Sequence, residues 1–244
     1  MIQAIIFDLD GTLVQTEKLK ALSYARAAVQ LCPYHLQEND VIEAFKDVVG
    51  LSRRTVAMAL VDRFDLAEKA LSKMAEFGVG TAWQAYVQLR LNLYEEMLAD
   101  PDVICRNQWP HNMTLLQTAR RVCPYVGLAT MSYCVQVQRV LRILELDTTF
   151  DFVASRDDVE HGKPDPEIYH LVADELGVTA AECLVIEDSP TGVQAALAAG
   201  MTVLAVSTPF TRKRLHGSGL LPEARIVDEP ERVAAVAAEI VRLS

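Results

Sequence analysis

Six short apolar runs rich in β-branched residues recur along this 244-residue chain: Ala4–Phe7, Tyr125–Ala129, Phe152–Ala154, Cys183–Ile186, Thr202–Val206 and a weaker Arg225–Val227. Each is followed by a turn signal and then by a helical pattern. Strands that alternate with helices predict an α/β fold, a parallel, doubly wound sheet. The helices carry their own punctuation. Pro166–Leu176 is followed by Gly177, which can supply a left-handed cap. Pro190–Ala199 has Ser189 as N-cap, Pro190 in its first turn and Gly200 closing it.

The stretch from Val14 to Ile104 breaks this alternation. It contains no convincing strand and reads as several helices, among them Lys18–Leu31, Val41–Val48, Arg54–Asp62 and Ala82–Leu98. Trp83, Tyr86, Tyr94 and Met97 follow helical spacing and read as packing residues of this block. A length of 244 residues suits a core plus a smaller insert. The expected organisation is therefore a core made of residues 1–14 and 105–244, with residues 15–104 inserted after the first strand.

That first strand ends unusually. In IIFDLDGTL the apolar run stops at two acids one residue apart, Asp8 and Asp10, before Gly11. Residues i and i+2 of a strand point to the same side, so the two acids would crowd each other if the strand continued. Their place is the strand's carboxyl end, where open α/β sheets bind ligands. Three further features fall at such ends. Thr130 follows the strand in PYVGLATMS, Glu187 and Asp188 follow LVI in CLVIEDSPTG, and Lys163 stands in HGKPDP after the Phe152–Ala154 strand.

Singly, each has an ordinary explanation as a cap, a turn or a surface residue. Together they raise an electrostatic problem, because two unit charges about 4 Å apart interact by about 4 kcal/mol at an effective dielectric near 20. One lysine does not balance four carboxylates. A hard divalent cation with oxygen ligands does, and Mg²⁺ takes one or two carboxylates together with waters and a substrate phosphate. A lysine and a hydroxyl beside it suit a phosphoryl group.

The rest of the composition narrows the partners. A formal net charge of −10 disfavours nucleic acid, and the basic run Arg212, Lys213 and Arg214 reads as a solvated loop. Cys32, Cys105, Cys123, Cys134 and Cys183 are scattered and odd in number, as expected of reduced thiols packed as small hydrophobes. No signal segment is expected, and no uninterrupted apolar run approaches the length of a membrane span. A cytoplasmic protein is expected, with no membrane partner, and a monomer is sufficient for this reading.

DLDGTL, the Thr of LATMS, the Lys of GKPDP and EDSPTG together resemble the four motifs of the haloacid dehalogenase superfamily. The helical insert resembles the cap of its β-phosphoglucomutase-like phosphatases. The resemblance covers nearly the whole chain and implies a Rossmann-like core with an α-helical cap domain. It implies that Asp8 is the nucleophile and Asp10 the general acid/base, with Thr130 and Lys163 holding phosphoryl oxygens. Asp8, Asp10, Glu187 and Asp188 would hold Mg²⁺. The implied activity is hydrolysis of a small phosphorylated metabolite through an aspartyl phosphate. VVGLSRRT resembles the cap specificity loop, which makes Gly50 and Arg53 candidate substrate contacts, along with Gly11, Met131 and Ser132.

Two positions depart from the pattern. Gln15 stands where related phosphatases commonly carry Asp, and Lys20 stands where they and the mutases often carry His. The second departure ranks hydrolysis above phosphoryl transfer between sugar hydroxyls. Dehalogenation is disfavoured because Asp10 and the metal acids are present. An inactive binding scaffold is disfavoured because all four motifs are intact.

Overall fold

The computed structural model describes residues 1–243. It comprises two compact units, one formed by Met1–Gln15 with the chain from Ile104 onward, the other by Thr16–Val103.

The first unit contains a single six-stranded sheet: β1 (Ala4–Phe7), β2 (Tyr125–Ala129), β3 (Phe152–Ala154), β4 (Cys183–Glu187), β5 (Thr202–Val206) and β6 (Ile226–Val227). All neighbours run parallel in the order β3-β2-β1-β4-β5-β6, so the expected α/β fold is present. The strands lie where the apolar runs placed them, except that β4 runs on by one residue to Glu187 and Arg225 belongs to a 3-10 turn before β6. β1 and β4 are buried along their whole length, which is why they read as unbroken apolar runs rather than alternating ones.

The strand order reverses beside β1, between strands that lead one way and strands that lead the other. In such sheets this crevice at the carboxyl ends is the ligand position. Phe7 stands opposite both Leu128 and Ile186, so the residues following β1, β2 and β4 emerge at one edge. The Asp8 N–H continues this register by donating to the Ile186 carbonyl at 3.0 Å.

The helices are α1 (Thr16–Leu31), α2 (Glu38–Val48), α3 (Arg53–Arg63), α4 (Ala67–Leu71), α5 (Met74–Phe77), α6 (Ala82–Ala99), α7 (Pro101–Arg106), α8 (Pro110–Val122), α9 (Cys134–Ile143), α10 (Glu167–Leu176), α11 (Pro190–Ala198), α12 (Arg212–Ser218) and α13 (Val233–Leu243). α10 covers β2 and β3, and α11 covers β4 and β5. Ile168, Tyr169 and Val172 of α10 and Val193 and Ala196 of α11 join Ile6, Val185 and Val203 in one apolar cluster. α11 is capped as the sequence predicts, with the Ser189 side chain accepting from the Gly192 N–H and Pro190 in the first turn.

In the second unit, α1 packs on α2 and α6, and α3 packs on α2 and α6. Ring centroids of Tyr24 and Phe45 lie 5.6 Å apart, and those of Tyr24 and Tyr86 lie 5.7 Å apart. Tyr86 and Met97 are buried, as expected of packing residues. Trp83 and Tyr94 are half-buried and carry arginine guanidinium groups over their rings instead. The buried Tyr86 hydroxyl donates to the Tyr24 carbonyl at 2.8 Å. Tyr86→Phe should lower stability by about 1 kcal/mol. In a chain of this size that is a fall of about 2–4 °C in Tm, read by thermal unfolding.

All five cysteines are free. Among the described residues, no helix is long and apolar enough to cross a membrane.

Candidate active site

The loop after β1 turns back on itself. Gly11 N–H donates to the Val14 carbonyl at 2.7 Å, and the N–H groups of Leu13 and Val14 both donate to the Leu9 carbonyl, at 2.9 and 3.1 Å. Gly11 has φ +90°, a conformation that a side chain would strain. This turn ends the strand after Asp8 and carries Asp10 round beside β2.

The Lys163 ammonium is the centre of the site. It donates to Asp8 Oδ1 at 2.8 Å, to the Ala129 carbonyl at 3.0 Å and to Glu187 Oε1 at 2.7 Å. Those three bonds use its three N–H groups. Its Nζ also lies 4.9 Å from the centroid of the Tyr169 ring. The Tyr169 hydroxyl donates to the same Glu187 oxygen at 3.1 Å. Glu187 Oε2 accepts from the Asp188 N–H at 2.9 Å, the Ser189 N–H at 3.0 Å and the Ser189 hydroxyl at 3.1 Å. Five donors thus fix this one carboxylate.

Asp10 is held separately. Its Oδ2 accepts from the Ser132 hydroxyl at 2.5 Å and the Thr130 hydroxyl at 3.2 Å. Thr130 Oγ1 in turn accepts from the Ser132 N–H at 3.1 Å. One carboxylate oxygen from each of Asp8, Glu187 and Asp188 lies within 4.8 Å of the other two, and all three residues are buried.

Burial pushes the Asp8 carboxyl up to about 8. The Lys163 charge works against that rise, while Glu187 and Asp10 add to it. Burial pulls the Lys163 ammonium down, but the charges of Asp8 and Glu187 outweigh it and hold the group well above the ordinary lysine value. The lysine therefore stays charged, yet one ammonium does not keep all three clustered acids ionised at neutral pH. Buried, close-set, hard oxygen donors fit a divalent cation such as Mg²⁺.

The structure thus brings together Asp8, Asp10, Thr130, Ser132, Lys163, Glu187 and Asp188, which lie up to 180 positions apart in the chain. Gly11 shapes the loop among them. Met131 differs from its neighbours, because its side chain packs against the apolar core. Gly50, with φ +80°, and Arg53 are both exposed and belong to the helical unit. His161, read as a surface residue, is exposed and meets Glu167 at 3.1 Å.

Three contributors escaped the sequence reading. Tyr169 lies on the apolar face of α10 and reads as core, and only its hydroxyl betrays a second task. Ser189 reads as an N-cap, which it is, but its hydroxyl also donates to Glu187. Gly192 carries no chemistry, but a Cβ there would meet Glu187 Oε1 at 1.6 Å, so only glycine lets α11 lie against this carboxylate.

Residues 2–200 match the haloacid dehalogenase-like hydrolases, over far more than half of the chain. The chain belongs to this family. A relative from Thermotoga maritima, a phosphorylated carbohydrates phosphatase, is 29% identical over 200 residues, 82% of either chain. A second relative, the fructose-1-phosphate phosphatase of Escherichia coli, is 28% identical over 83% of this chain and 95% of its own length. The solved structure of a Thermotoga maritima candidate beta-phosphoglucomutase superposes with a TM-score of 0.71 at 25% identity, covering 98% of this chain and all of the other. As a haloacid dehalogenase-like hydrolase the protein is an enzyme.

Proposed function

We propose that the protein is a Mg²⁺-dependent phosphatase that hydrolyses a small phosphomonoester, of the sugar-phosphate type, through an aspartyl phosphate. The observation that carries this reading is the setting of Asp8. It is a buried carboxylate at a strand end, tied by one oxygen to a charged lysine and grouped with two further acids. The names of the two relatives, a phosphatase of phosphorylated carbohydrates and a fructose-1-phosphate phosphatase, support the substrate class.

In this reading Asp8 attacks phosphorus, the bond from phosphorus to the leaving oxygen breaks, and Asp10 gives that oxygen its proton. Asp10 then takes a proton from water as the water oxygen attacks phosphorus. The bond to Asp8 breaks and phosphate leaves. With substrate bound, Lys163 and the Thr130 and Ser132 hydroxyls turn donors toward phosphoryl oxygens; without it the two hydroxyls donate to Asp10 and orient it. Asp8, Glu187 and Asp188, with Asp10 beside them, would hold Mg²⁺, and Glu187 also fixes Lys163. When bound, the ion supplies positive charge to the clustered carboxylates and the phosphoryl group. The helical unit serves as the cap, and Gly50 and Arg53 are its contacts with the leaving group.

Release of phosphate from p-nitrophenyl phosphate should require Mg²⁺ and stop in excess chelator. Unchanged turnover in chelator would falsify the metal dependence. The protonation of Asp8 gives the same ion a second, non-kinetic test. With its carboxyl up at about 8, Asp8 must lose a proton to bind a cation at any lower pH. Calorimetric titration with MgCl₂ should show affinity rising by about tenfold per pH unit from pH 6 and levelling above pH 8. A flat profile would mean that ion binding displaces no proton from Asp8.

A further inference from the structure

Tyr169 occupies a position where a wholly apolar side chain would serve the core as well. It lies on the inner face of α10, is fully buried, and belongs to the same apolar cluster as Ile168 and Val172. A phenylalanine would fill that space without the cost of burying a hydroxyl. The hydroxyl is therefore the part of Tyr169 that packing does not explain. It donates to Glu187 Oε1 at 3.1 Å, and that same oxygen accepts from Lys163 at 2.7 Å. The ring centroid lies 4.9 Å from Lys163 Nζ. Tyr169 thus touches both the lysine and one of the lysine's acceptors.

An ammonium has three N–H groups, and those of Lys163 go to Asp8 Oδ1, the Ala129 carbonyl and Glu187 Oε1. The Lys163 and Glu187 side chains are only 5% and 1% exposed, so an acceptor that the lysine leaves is not readily hydrated. To hold a phosphoryl oxygen the lysine gives up one of its three acceptors. Leaving Asp8 would take positive charge from beside the attacking carboxylate. Glu187 is better prepared for the loss. Its Oε2 accepts from the Asp188 N–H and from the N–H and hydroxyl of Ser189, and its Oε1 keeps the Tyr169 hydroxyl. Without that hydroxyl, Oε1 would lose both of these donors in a buried place, which costs free energy. The aromatic face attracts the ammonium whichever acceptors it serves.

We propose that Tyr169 is a positioning residue of the phosphate site: its hydroxyl holds Glu187 Oε1 while Lys163 turns an N–H from that oxygen to the phosphoryl group. No covalent bond changes and no proton is transferred. One lysine hydrogen bond is exchanged for another, and the tyrosine's bond persists throughout. That the incoming oxygen belongs to a phosphoryl group rests on the phosphatase reading, whereas the shared acceptor is a feature of the site itself.

Tyr169→Phe keeps the ring and removes the hydroxyl. It should weaken the binding of inorganic phosphate, measured by calorimetry in MgCl₂, by about tenfold, the effect of one buried acceptor left unpaired. KM for p-nitrophenyl phosphate should rise by the same factor with kcat within about twofold of the wild type, because Lys163 has turned in the ground state and the transition state alike. A purely structural role would lower Tm and the active fraction and leave KM and phosphate affinity unmoved. Tyr169→p-aminophenylalanine returns a weaker donor, an N–H, at the same place. Its phosphate affinity should fall between those of wild type and Tyr169→Phe, and it decides the question if Tyr169→Phe fails to fold. Phosphate affinity and KM unmoved in a variant that folds, or a loss confined to kcat, overturns the proposal. A wild-type chain that binds phosphate but hydrolyses no phosphomonoester refutes the phosphatase reading alone, and the same affinities still decide the role of Tyr169. Absence of both hydrolysis and phosphate binding refutes both.

Discussion

Asp8→Asn is expected to lose phosphate release by about four to six orders of magnitude, the range seen when a covalent nucleophile is removed. The amide has the size of the carboxyl and still offers an oxygen to Lys163, but it has no negatively charged oxygen to bond to phosphorus. The fold should survive. Burial already pushes this carboxyl up to about 8, so ionised Asp8 is an electrostatic burden on the folded state at neutral pH rather than a support. Lys163 keeps the Glu187 carboxylate and the Ala129 carbonyl as partners. Circular dichroism should therefore match the wild type and Tm should not fall, while acid-quenched wild-type enzyme, and not the variant, carries substrate-derived phosphate on this residue. A variant that folds and turns over at the wild-type rate would remove Asp8 from the chemistry.

The strands, and the acids at their ends, were legible because one physical pattern marks both. A strand buried on two faces is apolar along nearly all of its length, so the point where Phe7 gives way to Asp8, or Ile186 to the last strand residue Glu187, stands out in sequence and in space. Parallel register then brings those ends together without further information. What stayed hidden is what depends on direction and distance. Nothing in the letters says that Tyr169 sends its hydroxyl to Glu187 while its ring packs in the core. Met131 and Ser132 are adjacent, yet one turns to the apolar cluster and the other to Asp10, a choice made by the backbone after β2. The buried Arg90 reads in sequence as one more charge on a helix, and only its depth sets it apart.

Gly192→Ala tests how rigidly this arrangement is built, and a large effect is expected from one methyl group. The added carbon would lie 1.6 Å from Glu187 Oε1 and 2.0 Å from Cδ, so one of the two must move. Glu187 cannot move cheaply. Its oxygens receive Lys163, Tyr169, the Asp188 and Ser189 N–H groups and the Ser189 hydroxyl, and displacement leaves several of these donors buried without an acceptor. Overpacking costs about 1–3 kcal/mol, and each abandoned buried donor adds about 1–3 kcal/mol. A total loss of about 3–5 kcal/mol lowers Tm by roughly 10 °C at the 2–4 °C per kcal/mol expected for this size. If α11 shifts instead, Glu187 keeps Lys163 and Tyr169, but Asp188 and Ser189 at the helix start are displaced with three of its five donors, and activity falls with stability. The clash also predicts a coupling. Shortening the acid by Glu187→Asp withdraws the carboxylate from the methyl group, so this second change should cost at least about 1 kcal/mol less in the Gly192→Ala background than in the wild type. Additive losses in that double-mutant cycle would mean that residues 187 and 192 do not press on each other, and that the glycine is needed for something other than room.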